Sequence, residues 1–114
     1  MLTAKEIREA NQHGAKHTKA EHSAAPGFGP YEARQWNYDL PYDEQYSKDE
    51  YSSSPWFSAA VITAWNIMLP NSEQYSKAEH MAAPCLCLID ALLWNQALPF
   101  AEQYTDEELE ALKP

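Results

Sequence analysis

Tyr46-Ser47-Lys48-Asp49-Glu50-Tyr51 opens a segment that closes on Glu73-Gln74, and the next residues start it again as Tyr75-Ser76-Lys77-Ala78-Glu79-His80. Laid over the rest of the chain, the pattern recurs without gaps at a period of 29 residues. The units run from His17 to Gln45, Tyr46 to Gln74 and Tyr75 to Gln103, and Tyr104-Thr105-Asp106-Glu107-Glu108-Leu109 begins a fourth. Pro26, Pro55 and Pro84 coincide, as do Trp36-Asn37, Trp65-Asn66 and Trp94-Asn95, and then Leu40-Pro41, Leu69-Pro70 and Leu98-Pro99.

The head of each unit carries Ser or Thr followed three residues later by Glu, a capping box that satisfies free amide groups at a helix start. It occurs at Thr18/Glu21, Ser47/Glu50, Ser76/Glu79 and Thr105/Glu108, and again at Thr3/Glu6. Five helix starts are therefore expected. A proline eight residues after each middle cap ends the first helix and suits the first turn of another. Longer helices of about four turns are thus expected from near Pro55 and Pro84 up to the Leu-Pro pairs. Gly27-Phe28-Gly29-Pro30 interrupts the first unit, so its long helix is expected to start near Pro30 and to be shorter.

Ala33/Trp36/Leu40, Ile62/Trp65/Leu69 and Ala91/Trp94/Leu98 are spaced three then four, which puts each set on one helix face. Those faces are the expected seams. The second and third long helices read as apolar almost all round, like central elements, whereas the first offers Glu32, Arg34, Gln35 and Asp39 to water. The expected fold is all-α, a single domain of about three helical-repeat (αα-hairpin) units, 17–45, 46–74 and 75–103. Residues 1–16 and 104–114 act as capping helices, and the units form either a compact bundle or a short solenoid. The period is shorter than that of tetratricopeptide, ankyrin or HEAT units, and the Trp-Asn and Leu-Pro marks match none of their patterns.

Composition restricts function. The 114 residues carry 17 acidic against 8 basic groups, a net charge of -9, with 4 Trp, 7 Tyr and 3 Phe to supply burial that a disordered tail lacks. Direct nucleic-acid binding is not expected, because phosphate neutralisation needs clustered Lys and Arg. The apolar runs Trp56 to Leu69 and Cys85 to Leu98 fall short of the approximately 20 residues that span a bilayer. The start of the chain has no signal-like apolar stretch, which points to a cytoplasmic protein without a membrane partner. Cys85 and Cys87 read as small buried hydrophobes inside a helix, on different sides of it.

Candidate chemistry is sparse. His13, His17 and Glu21, spaced by four, would place three metal-capable groups on one face of a continuous helix, with His22 adjacent and His80 at the corresponding place of another unit. Gly14 and the cap at Thr18 break that helix, so a polar connector is the stronger reading, with no resident metal or cofactor. Asp90, amid apolar neighbours, could be a general acid or base. The plainer account has it facing outward or paired with a lysine. The leading expectation is a non-enzymatic acidic interaction module whose protein partner has a basic surface. Tyr31, Tyr38 and Tyr42, with Asp43, Glu44, Glu73 and Glu102 at the turns, are the expected contacts. A sharper version is an inhibitor or decoy of the kind phages and mobile elements carry, sitting on a nucleic-acid-binding surface. A homo-oligomer is the expectation if apolar edges stay exposed.

Overall fold

The computed structural model describes all 114 residues, and it is all-helical with no strand. Eight helices follow one another: α1 (Ala4–Gln12), α2 (Lys19–Ala24), α3 (Pro30–Asp39), α4 (Lys48–Ser52), α5 (Ala59–Met68), α6 (Lys77–Ala82), α7 (Leu88–Ala97) and α8 (Asp106–Ala111). They fall into two compact units, Met1–Trp56 and Phe57–Pro114. No helix is long and apolar enough to cross a membrane.

The capping boxes form at all five places. Thr3, Thr18, Ser47, Ser76 and Thr105 each accept the amide of the Glu three residues on, whose carboxylate accepts the amide of the cap residue in return. The long helices start differently. Gly29, Ser58 and Cys87 occupy the cap position in extended backbone and make no side-chain cap bond. The first amide of α5 instead donates to the Pro84 carbonyl at 3.0 Å, and that of α1 to the Pro26 carbonyl at 2.9 Å. Packing between neighbouring segments thus satisfies the first amide of a helix, alongside a capping box in α1 and without one in α5.

This arrangement corrects two expectations. Pro55 and Pro84 lie in turns, and α5 and α7 begin four residues later, so each has 10 residues rather than four turns. Extended backbone at Ser58 and Cys87 excludes these residues from the helix, and at Ser58 it brings the next amide to the Pro84 carbonyl. By the same logic α3 is not shortened, since it too has 10 residues and starts at the matching place. Gly27, at φ 83, turns the chain there. All three long helices stop alike. Leu40, Leu69 and Leu98 sit at φ near -124 and donate their amides to the carbonyls of Trp36, Trp65 and Trp94, because the following proline denies leucine the helical region.

In the first unit α1 packs against α2 and α3; in the second, α5 packs against α6 and α7, and α7 against α8. The tryptophan faces form the cores, with Ala33, Trp36 and Leu40 buried in the first and Ile62, Trp65, Leu69, Ala91 and Trp94 in the second. Two assignments of solvent exposure are reversed. Glu32, expected to face water, is buried, because Arg8 reaches it; Ile89, Leu92 and Leu93 of the supposedly central α7 are exposed. Cys85 and Cys87 are also exposed and precede α7 rather than lying within it, since Cys85 takes a positive φ of 65 and Cys87 is the extended cap residue.

Candidate interaction surface and the buried network beneath it

A turn with fixed bonding follows each long helix. The indole Nε1–H of Trp36 donates to the Glu44 carbonyl, that of Trp65 to Glu73 and that of Trp94 to Glu102, each at 2.9 Å. Asn37 grips the main chain of Tyr46, donating to its carbonyl at 2.9 Å and accepting its amide at 2.8 Å; Asn66 does the same to Tyr75, and Asn95 to Tyr104. Gln45, Gln74 and Gln103 close the turns by donating to the carbonyls of Leu40, Leu69 and Leu98 at 2.7 Å. Asn11 holds His17 through the same pair of bonds.

The tyrosine hydroxyls continue inward. Tyr46 donates to Nδ1 of His22 at 2.7 Å, its one proton shared with the Lys19 carbonyl at 3.1 Å, and the Nε2–H of His22 donates to Glu32 at 3.1 Å. Arg8 clamps Glu32 through Nε and Nη2 at 2.8 and 3.0 Å and reaches Asp39 through Nη1 at 2.7 Å. In the second unit the Tyr104 hydroxyl lies 2.6 Å from Nδ1 of His80, and the Thr63 hydroxyl lies 3.2 Å from Nε2 of the same ring. Each imidazole stacks on a tryptophan, His22 on Trp36 and His80 on Trp94, with ring centres 4.5 and 4.7 Å apart.

Burial holds both histidines below their ordinary pKa, so each is neutral at pH 7, and the Glu32 carboxylate keeps the His22 proton on Nε2. Burial works against the Glu32 carboxylate, but hydrogen bonds from Arg8 and His22 outweigh it and keep Glu32 below the usual carboxylate range. Burial also pushes Tyr104 up to about 12 and raises Tyr46. No buried side-chain polar atom lacks a partner. Chemically this is a closed network: His22 and His80 are wholly buried, out of reach of a dissolved substrate.

The surface above it carries the anticipated contact residues. Tyr31 and Tyr38, two turns apart on α3, are more than half exposed, and Tyr42 in the following turn is 98% exposed. Tyr46, Tyr51, Tyr75 and Tyr104 are all buried, so every exposed tyrosine belongs to α3 and its turn. Asp43 is half-buried and accepts a bond from Asn11 at 3.3 Å. The side chains of Glu44, Glu73 and Glu102 are exposed. Glu44 and Glu102 each stand beside a lysine that is bound more closely by another acid, Lys19 by Glu50 and Lys77 by Glu108, both at 2.8 Å. In the first unit the structure therefore groups Tyr31, Tyr38, Tyr42, Asp43 and Glu44 on one helix and its turn, while Glu73 and Glu102 occupy matching turns of the second unit.

The other candidates separate. His13 is the residue that ends α1, Gly14 turns the chain at φ 100, and His17 precedes the cap of α2, so the spacing of four is not helical. His17 meets Glu21 at 3.4 Å, and nowhere do three or more His, Cys, Asp or Glu side chains converge on a possible metal position. Asp90 neither faces fully outward nor meets a lysine; it is half-buried and accepts the Cys87 thiol at 3.3 Å. The Arg8–Glu32–His22 network escaped sequence reading. The available signal was Glu32 four residues before Trp36, on the face destined for the core.

Compared with protein-family models, with curated proteins and with solved structures, the chain finds no match. The class that fold and surface define is an acidic all-helical protein with an exposed tyrosine face.

Proposed function

We propose that the chain is a short helical-repeat protein of three units, 17–45, 46–74 and 75–103, flanked by residues 1–16 and 104–114, that works as a non-enzymatic interaction module for a protein with a basic surface. The repeat reading is supported by the bonding of Trp36, Trp65 and Trp94 and of Asn37, Asn66 and Asn95, which is the same in each turn. The interaction reading is carried by one observation, the division of the tyrosines: four complete the cores, and the remaining three all project from α3 and its turn. Tyrosine on a surface costs exposed apolar area and is favoured in binding hot spots. Asp43 and Glu44 beside it, within a net charge of -9, select a cationic counterpart. An inhibitor or decoy in the cytoplasm, occupying a surface that otherwise meets nucleic acid, is the specific form of this function.

Affinity purification from the native host, with wild-type protein and a Tyr31→Ala/Tyr38→Ala/Tyr42→Ala variant, tests the proposal. A dominant basic partner, lost with the variant and bound less tightly as salt rises, is the expected result. Affinity that stays flat with salt, or is indifferent to the three tyrosines, contradicts it.

A further inference from the structure

The second unit carries another apolar surface, unrelated to the tyrosines. In α5 the fifth of ten residues, Thr63, is 1% exposed, covered where α5 meets α6 and α7. In α7 the fifth of ten residues is Leu92, which lines a groove together with Leu109 of α8 and is 47% exposed. The more apolar side chain thus has the less cover. A groove of about 340 Å³ lies there, lined by Leu88, Leu92 and Leu109, with Asp106, Glu110 and Lys113 on its rim. Lys113 is held by Glu110 at 2.8 Å, so the rim presents net negative charge.

We propose that this groove docks an amphipathic helix of a partner protein, with an apolar stripe flanked by lysine or arginine. The local packing states what fits: α7 lies on α5 as a helix presenting buried Ala91 and Trp94, with Trp94 stacked on His80 of α6, and α7 with α8 offers a comparable seat. The acidic rim selects the basic flanks. A second copy of the chain is a poor occupant, because a two-fold contact would bring Asp106 and Glu110 against the same acids of the other molecule. The proposal rests on the reading that the protein binds basic partners, and it adds a second surface and the form of the ligand.

The test uses a synthetic helix of about four turns, with Leu, Ala and Trp at spacings of three and four and lysine elsewhere, and a control with glutamate for lysine. Methyl spectra of the full chain should shift at Leu88, Leu92 and Leu109 with the lysine peptide only. Leu92→Thr, which installs the residue α5 carries at this place, should weaken binding about tenfold or more, as should Glu110→Lys. The triple tyrosine variant should bind the peptide unchanged, which separates this surface from that of the proposed function. Absence of binding by the lysine peptide, binding that the triple tyrosine variant abolishes, or a sedimenting dimer that Leu92→Thr dissociates would each overturn the proposal.

Discussion

Arg8 holds both carboxylate oxygens of Glu32 from 24 residues away, and the pair is shielded from water on both sides. Breaking it from one side leaves an uncompensated charge, which ordinarily costs about 3–5 kcal/mol, whereas replacing both partners with apolar residues of similar volume is often neutral. Arg8→Met should therefore unfold at markedly lower denaturant, and Arg8→Met/Glu32→Leu should recover part of the loss, the remainder being the buried Nε2–H of His22 left without its acceptor. Urea titration of the two variants and the wild type measures this. A double variant no better than the single one would show that the loss does not come from the charge left on Glu32.

Both buried histidines make stability depend on pH in one direction. Their folded pKa lies below the ordinary value of 6.5, so the unfolded chain binds protons that the folded chain refuses. The contribution is complete above about pH 6.5 and is lost as pH falls toward the folded values, at up to about 1.4 kcal/mol per pH unit for each histidine. Glu32, also depressed, adds the same sign in a lower window, below about pH 4.5. Melting temperatures should fall between about pH 7 and pH 5. His80→Gln should reduce that slope; an unchanged slope would mean that His80 binds its proton equally in the folded and unfolded chains.

The Asn–Tyr grips differ in burial, and their deletion should differ with it. Asn66 and Tyr75 are buried, so Asn66→Ala strands an amide and a carbonyl and should cost about 2–3 kcal/mol. Asn95 makes the same two bonds but is half-buried, and water can replace it in part. Asn95→Ala should cost less. Equal losses in denaturant midpoint would contradict the role of burial.

Cys85 occupies a left-handed conformation at φ 65, at the position where the first unit has Gly27 at φ 83. An L-residue there costs about 1–2 kcal/mol, part of which glycine returns as unfolded-state entropy. Cys85→Gly should raise the denaturant midpoint by about 0.5–1 kcal/mol in stability. Destabilisation would indicate that the Cys85 side chain makes a contact that outweighs its backbone strain.

The helix starts were legible in the chain because a capping box is local: Ser47 and Glu50 contain the whole mechanism within one turn. The buried tryptophan stripes were legible because a helix face is set by spacing alone. The start of α5 was not, since its first amide is satisfied by Pro84, a partner that only tertiary packing supplies. For the same reason Glu32 read as a surface acid: its burial depends on Arg8, and no periodicity links two residues so far apart. Leu92 was misread in the opposite sense, because an apolar residue in an apolar helix reveals nothing about whether a neighbour covers it. Of the candidate surface, the exposure of Tyr31, Tyr38 and Tyr42 follows from their clustering in the least apolar unit, while the engagement of Asp43 with Asn11 depends on the fold.

The central claim is that three tryptophans, one in each long helix after α1, hold the following turn by the same bond. Hydrogen exchange at the indole nitrogens reads this directly, with the half-buried Trp56 as an internal comparison. Slow and similar exchange at Trp36, Trp65 and Trp94, each donating to a glutamate carbonyl, is the predicted result, with Trp56 faster. Any one of the three exchanging as fast as Trp56 would contradict the account.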